Sequence, residues 1–294
     1  PMNLDYDPDQ LRVPHKGKFS LTEQPTRIEK LYSTKKQVSG LLDEYSQELS
    51  GIQQKLYADD RYSVLLIFQG MDAAGKDGLI RHVFSGVNPQ GCQVFSFKQP
   101  SSEELDHDFL WRVHKRMPER GRIGIFNRSY YEDVLVVKVD PKVFAGQKIP
   151  QAFMEDPKFW KDRYKDINRF EDYMTRQGTH IIKFFLHLSK EEQRQRFLSR
   201  IDEPDKNWKL SPYDVEVRAR WDDYQEVYED CLKKTSTKKA PWYCIPADDK
   251  QNARILVSHI IVESLRKLPV DYPQVDDAHR QRLKESREQL ESEA

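Results

Sequence analysis

Five short apolar runs punctuate the chain: Val64 to Phe68, Cys92 to Phe97, Arg122 to Phe126, His180 to Leu188 and Trp242 to Ile245. The first has no polar face, as expected of a parallel strand covered on both sides. Between the runs, apolar residues recur at helical spacing. Leu79, Ile80, Val83 and Phe84 follow the first run, and Trp160, Tyr164, Ile167, Phe170 and Met174 stripe a helix over 157–177, stopped by Gly178. Further helices are predicted over about 214–233 and 252–268. Ahead of the first strand, Ile28, Leu31, Val38, Leu41, Tyr45, Leu49, Ile52 and Leu56 keep a period near 3.6, with Gly40 and Gly51 as candidate breaks. Ser101 to Glu104 and Ser189 to Glu192 read as capping boxes. The first opens a helix running toward Pro118, and the second a charged helix reaching about Asp202. Residues 141–156 are expected to be loop. Strands alternating with helices predict an α/β fold with a doubly wound, five-stranded parallel sheet. The expected organisation is an N-terminal arm and long helices over 1–60, a core over 61–270 with a helical lid at about 189–213, and a solvated charged tail over 271–294.

Composition narrows the function classes. Across 294 residues the formal net charge is zero, although one residue in three is charged. A general nucleic-acid binder would carry a basic excess, so no nucleic acid is expected, though a local basic channel stays open. Cys92, Cys231 and Cys244 have no short spacing, which disfavours a disulfide framework or a zinc site. Met2 to Pro14 lacks the apolar core of a signal peptide, and runs such as Ile255 to Val262 are too short to span a bilayer. A soluble cytoplasmic protein without membrane contact is the expectation.

Gly70-Met-Asp-Ala-Ala-Gly75-Lys76 follows the first strand at once, and a helix follows Lys76. Two glycines separated by four residues and followed by lysine, between a strand and a helix, form the phosphate-loop pattern. Small residues (Gly70, Ala73, Ala74, Gly75) let backbone N–H groups turn around a phosphate, the helix N-terminus adds partial positive charge, and Lys76 adds a full one. Where a hydroxyl usually holds Mg²⁺, this chain has Asp77, and Asp72 lies inside the loop. Carboxylates beside a polyanion repel it unless a cation intervenes. The loop therefore calls for a heavily shared metal or for a donor other than an ordinary nucleoside triphosphate.

The third strand runs into Asn127-Arg-Ser-Tyr-Tyr-Glu-Asp133. The carboxyl end of the strand beside a phosphate loop is where metal and transferring phosphate gather. There Arg128 can spread charge over phosphate oxygens, and Glu132 or Asp133 can hold a metal or orient the acceptor. In the helix after the fourth strand, Arg196 and Arg200 share one face. They fit a lid closing over phosphates, and equally a solvated face neutralised by nearby acids.

Four motifs in order resemble the second family of polyphosphate kinases: Gly70 to Asp77, Phe126 to Leu135, Trp208 to Pro212 and Ala240 to Asp248. The resemblance covers about residues 27–268. It implies a P-loop kinase fold of the thymidylate-kinase type, a three-layer sandwich with a helical lid. It also implies reversible phosphoryl transfer between inorganic polyphosphate and nucleotides, with Mg²⁺ or, as second candidate, Mn²⁺. Adenine nucleotides, with guanine as the alternative base, are the implied partners, in a homodimer or homotetramer. By matching motif, Asp72, Lys76, Arg128 and Asp133 take the catalytic places, with Asp72 and Asp133 on the metal. Gly70, Ala73, Ala74, Gly75, Asp77, Arg81, Asn127, Glu132, Arg196, Arg200 and Lys209 take substrate-binding places. Asn127, where some members have Asp, resembles the subgroups that phosphorylate AMP, some of which also carry ADP to ATP. Two alternatives stand beside this: an ATP-dependent small-molecule kinase of the same fold, and a non-catalytic phosphate or nucleotide sensor.

Overall fold

The computed structural model describes Leu4 and residues 6–293. Its strands are β1 (Ser63–Gly70), β2 (Cys92–Ser96), β3 (Ile123–Asn127), β4 (Thr179–His187) and β5 (Trp242–Pro246). The helices of two turns or more are α1 (Lys35–Asp59), α2 (Lys76–Val83), α3 (Phe159–Arg176), α4 (Lys190–Asp202), α5 (Pro212–Ala219), α6 (Trp221–Thr235), α7 (Lys250–Leu265) and α8 (Asp277–Glu291).

β1 is apolar from Val64 to Phe68 because both of its faces are covered. Val64, Leu66 and Phe68 join one buried cluster with α1, α2 and α7, while Leu65 and Ile67 join another with α3 and α6. That alternation creates the three layers. The strands are all parallel in the order β2-β3-β1-β4-β5. The chain leaves β1 toward β2 and leaves β4 toward β5, in opposite directions, so a crevice opens at the carboxyl ends of the central strands. No described helix is long and apolar enough to cross a membrane.

Several local expectations are corrected. α1 runs unbroken through Gly40 and Gly51, which face open space. Each glycine costs a helix only about 1 kcal/mol, less than the packing of Val38, Tyr45, Leu49 and Leu56 returns. The helix begins at Lys35, capped by Thr34, and residues 28–33 lie outside any helix and are tied to Asn252. The Ser101 capping box forms, but its helix lasts one turn, Ser102–Leu105, before a separate turn at Trp111–His114. At Ser189 only half the box forms, because the Glu192 carboxylate turns instead to Arg196. Short helices Pro141–Ala145 and Gln151–Met154 replace an expected loop, and Arg220 separates α5 from α6.

The N-terminal arm is a strap rather than a free surface segment. Leu11, Val13 and Leu21 are buried. The Val13 N–H donates to Trp242 O (2.9 Å) and Arg12 bridges Tyr243 antiparallel, which covers the outer edge of β5. The charged C-terminal segment forms α8, which buries no residue.

Candidate active site

The loop from Gly70 to Lys76 wraps the carboxyl end of β1. A Cβ on Gly70 would lie 3.1 Å from Leu186 O and 3.2 Å from the Ala74 Cβ, so the backbone passes β4 closely and a side chain there would press on both. Gly75 (φ 98°) and Ala73 (φ 65°) both adopt left-handed conformations. For alanine that is strain, held by the surrounding contacts. Gly75 also caps α2 without a side-chain acceptor, leaving the first N–H groups of the helix for an anion.

Lys76 is buried, and its ammonium donates to Gly70 O (2.9 Å) and Met71 O (3.4 Å). Burial, reinforced by the nearby Arg128 charge, pushes it down to about 8, against the pull of Asp72, Glu132 and Asp77. Opposite it, Arg128 is also left-handed (φ 60°), its N–H bound to Phe68 O. Its guanidinium meets Asp72 at 3.1 Å, and Asn127 donates to Asp77. The two motifs are therefore tied to each other directly. Behind them a buried chain fixes their spacing: Ser129 Oγ donates to Gln69 Oε1 (3.0 Å), and Gln69 Nε2 donates to Glu132 Oε1 (2.9 Å).

These groups open onto a cleft of about 780 Å³. Asp72, Ala73, Ala74, Gly75, Lys76, Asp77, Arg81, Asn127, Arg128, Arg200 and Lys209 all line it, as does the exposed Trp208. Lys98, Lys250 and Arg254 complete the wall and escaped the reading of the sequence. A signal existed: in a parallel sheet every strand ends on the same edge, and Lys98 and Lys250 lie just beyond β2 and β5. Eight cationic side chains against three carboxylates line this cleft in a chain of zero net charge. Repulsion from Arg81 lowers Arg254, and Arg196 and Arg254 lower Lys250, after burial in both cases.

Four expected site residues do not line this cleft: Gly70 turns the loop against β4, Glu132 is held behind the motif by Gln69, and Asp133 and Arg196 are engaged elsewhere. Asp133 lines a separate cavity of about 350 Å³, bounded by Phe109, Phe153, Phe159 and Arg163. It is buried, accepts from Gln147 Nε2 (2.7 Å), and its carboxyl is pushed up to about 6 by burial, despite Arg163. Asp72 and Asp133 thus face different spaces, and among the described residues no group of three or more His, Cys, Asp or Glu is placed to hold a metal.

Arg196 departs from its expected role over the phosphates. Its Nε donates to Glu192, one terminal nitrogen to Ala73 O (2.8 Å) and Ala74 O (3.2 Å), and the other to Ala247 O (2.8 Å) and Asp248 O (3.1 Å). All five donors are spent, which leaves none free for a phosphate. Arg196 instead clamps the phosphate loop to the β5–α7 connection. Arg196→Ala should lower stability by about 3 kcal/mol, because four carbonyls lose a charged partner, and Arg196→Lys should not restore it. Thermal unfolding of both variants measures this.

The model of the family "Polyphosphate kinase 2 (PPK2)" matches residues 32–272. An ADP-polyphosphate phosphotransferase of Rhodopseudomonas palustris is 53% identical over 281 residues, covering 96% of this chain and 97% of that protein. An AMP/ADP-polyphosphate phosphotransferase of Meiothermus ruber is 45% identical, covering 91% of this chain and 96% of that protein. The crystal structure of polyphosphate kinase 2 from Arthrobacter aurescens TC1 superposes with a TM-score of 0.85 at 38% identity, over 97% of this chain and 99% of that one. Phosphate loop, partner motif and parallel sheet all agree with these likenesses, and the chain belongs to the polyphosphate kinase 2 family.

Proposed function

We propose that the protein transfers phosphoryl groups reversibly between inorganic polyphosphate and adenine nucleotides, with Mg²⁺. The observation that carries this is the cleft with eight cations against three carboxylates, which continues past the phosphate loop to Lys98, Lys250 and Arg254. The phosphates of one nucleotide need only the loop, whereas a linear polyanion uses the whole track. ADP as acceptor is supported by the names of both relatives above, and AMP by one.

Charge divides the site. The neighbouring cavity is lined by six carboxylates and by Phe109, Phe153 and Phe159, with Arg112 and Arg163 already engaged by Glu104 and Gln147. It repels a polyanion and suits the uncharged part of a nucleotide, where rings can stack and amino groups can donate. The acceptor's base and ribose are assigned there, with its phosphates turned toward Arg128.

In the forward direction a terminal phosphate oxygen of the acceptor attacks the terminal phosphorus of the donor. The bond to the next bridging oxygen breaks, and its electron pair stays on the shortened chain. The attacking oxygen is already ionised, so no strong general base is required, and positioning and charge stabilisation dominate. Lys76 and Arg128 supply that stabilisation, and the Arg196 clamp holds the loop N–H groups in place. Mg²⁺ would be held by Asp72, with Asp77 alongside, both hard oxygen ligands on the cleft, and would neutralise phosphate charge there.

The test offers AMP and ADP separately with polyphosphate and Mg²⁺, without ATP, and follows products by chromatography. Formation of ADP or ATP is expected. Failure of both, with ATP consumed by another acceptor, would transfer the assignment to an ATP-dependent kinase. The Lys250→Ala/Arg254→Ala variant should raise KM for long polyphosphate about tenfold while kcat stays within about twofold. Steady-state kinetics at two ionic strengths check this, since added salt should shrink the difference.

A further inference from the structure

Beneath the partner motif lies an ion pair that the transfer chemistry does not touch. Lys183, in the middle of β4, is 0% exposed, and Glu171 of α3 is 1% exposed. The Lys183 ammonium donates to Glu171 Oε2 (2.7 Å), Tyr131 OH (2.7 Å) and Thr235 O (2.8 Å), which uses all three of its protons. Glu171 Oε1 accepts from Tyr130 OH (2.8 Å) and from Tyr131 OH. The Tyr131 hydroxyl is therefore held at both ends, accepting from one charge and donating to the other.

Both tyrosines are buried and belong to the one-turn segment Tyr130–Val134 that also carries Glu132 and Asp133. Apolar side chains of similar volume usually match or exceed a buried ion pair in stability, so stability alone does not account for two charges inside the sheet's helical cover. What the pair adds is direction. Greasy replacements would leave two phenol rings free to shift along the cover, whereas a closed ring of hydrogen bonds admits one placement.

We propose that Lys183 and Glu171 are positioning residues for phosphoryl transfer, acting through the Tyr130 and Tyr131 hydroxyls to set the segment that presents Glu132 and Asp133. The inference rests on the reading of that segment as part of the transfer site. Neither charge meets substrate. They act at the base of the segment, and the Gln69–Ser129 chain acts at its tip.

The test compares Tyr130→Phe/Tyr131→Phe, which keeps the ion pair and the ring volumes, with Lys183→Met/Glu171→Leu, which removes both charges. Ile261→Ala, on the opposite face of the sheet, is the control for loss of core packing. The phenylalanine variant is expected to lose about 10- to 100-fold in kcat with both KM values within about twofold, more than the control loses at an equal fall in thermal midpoint. The charge-free variant, where it folds, should show the same kcat loss with an undiminished midpoint. The proposal is overturned if the phenylalanine variant keeps kcat within twofold, or loses it only in step with the control. Asp133→Asn separates the two readings. If it lowers kcat/KM for the acceptor while the phenylalanine variant keeps kcat, only the positioning role fails. If Asp133→Asn is itself fully active, the segment is not part of the site and both readings fall.

Discussion

Replacing Lys76 with methionine is expected to lower kcat by about 10³-fold, roughly 4 kcal/mol of transition-state stabilisation, while the thermal midpoint holds or rises. The ammonium is buried and bonded to two loop carbonyls, with no carboxylate among its hydrogen-bond partners. Its protonated form is disfavoured enough to bring it down to about 8, so methionine relieves a cost while keeping the stem volume. A bound phosphate reverses that balance, because it stabilises the charge and draws a proton onto the amine. Polyphosphate KM should therefore be flat below about pH 8 and rise above it in the wild type, and lose that rise in the variant. Near-normal turnover in a folded Lys76→Met protein would remove Lys76 from the mechanism.

Asp133→Asn should lower kcat/KM for the acceptor nucleotide by about tenfold, because Asp133 lines the cavity assigned to its base and ribose, and at the same time stabilise the protein at neutral and alkaline pH. Burial raises this carboxyl from 3.8 to about 6, so the folded state disfavours its anion. Below the unfolded value, the group is protonated in both states and costs nothing. Stability is lost as pH rises through about 6, and above that the cost reaches about 3 kcal/mol. The asparagine variant should thus melt higher at pH 8 and together with wild type near pH 4, in buffer containing a chelator. A variant less stable at pH 8 would instead make Asp133 a structural partner of the buried Arg163, which donates to its backbone carbonyl.

Both expectations begin from motifs that were legible in the chain. The phosphate loop is one contiguous segment, and its conformation follows from local steric freedom at Gly70 and Gly75 and from the strand and helix on either side. Four of the five strands were legible for a similar reason, since burial on both faces removes their polar alternation, whereas β2, half-buried to exposed along its length, was legible from its alternation. Other readings failed where neighbours outweighed local preference. Gly40 and Gly51 suggest interruptions, but α1 packs against α7 and α2 along its buried face and continues through both. The capping box at Ser101 is real, yet its helix ends at Leu105, and the Asp108 carboxylate then accepts from the Leu110 N–H in the following turn.

Charge roles were the least legible, because a side chain's donors are allocated in three dimensions. Arg196 and Arg200 share a helix face four residues apart, yet Arg196 spends its guanidinium on the Glu192 carboxylate and on backbone carbonyls contributed by two distant loops, while Arg200 reaches the cleft. Asp133 sits six residues from Asn127 in one motif but opens on a different cavity. Lys183 reads as an interruption in an apolar strand until α3 and the two tyrosines are folded around it. The sequence by itself determined the layered parallel fold, the phosphate-loop pattern after β1 and the family of the chain, because each depends on short-range pattern. Only the tertiary structure decided which charges remain free for substrate and which are consumed in holding the site, because hydrogen-bond donors are finite and their allocation depends on segments far apart in the chain.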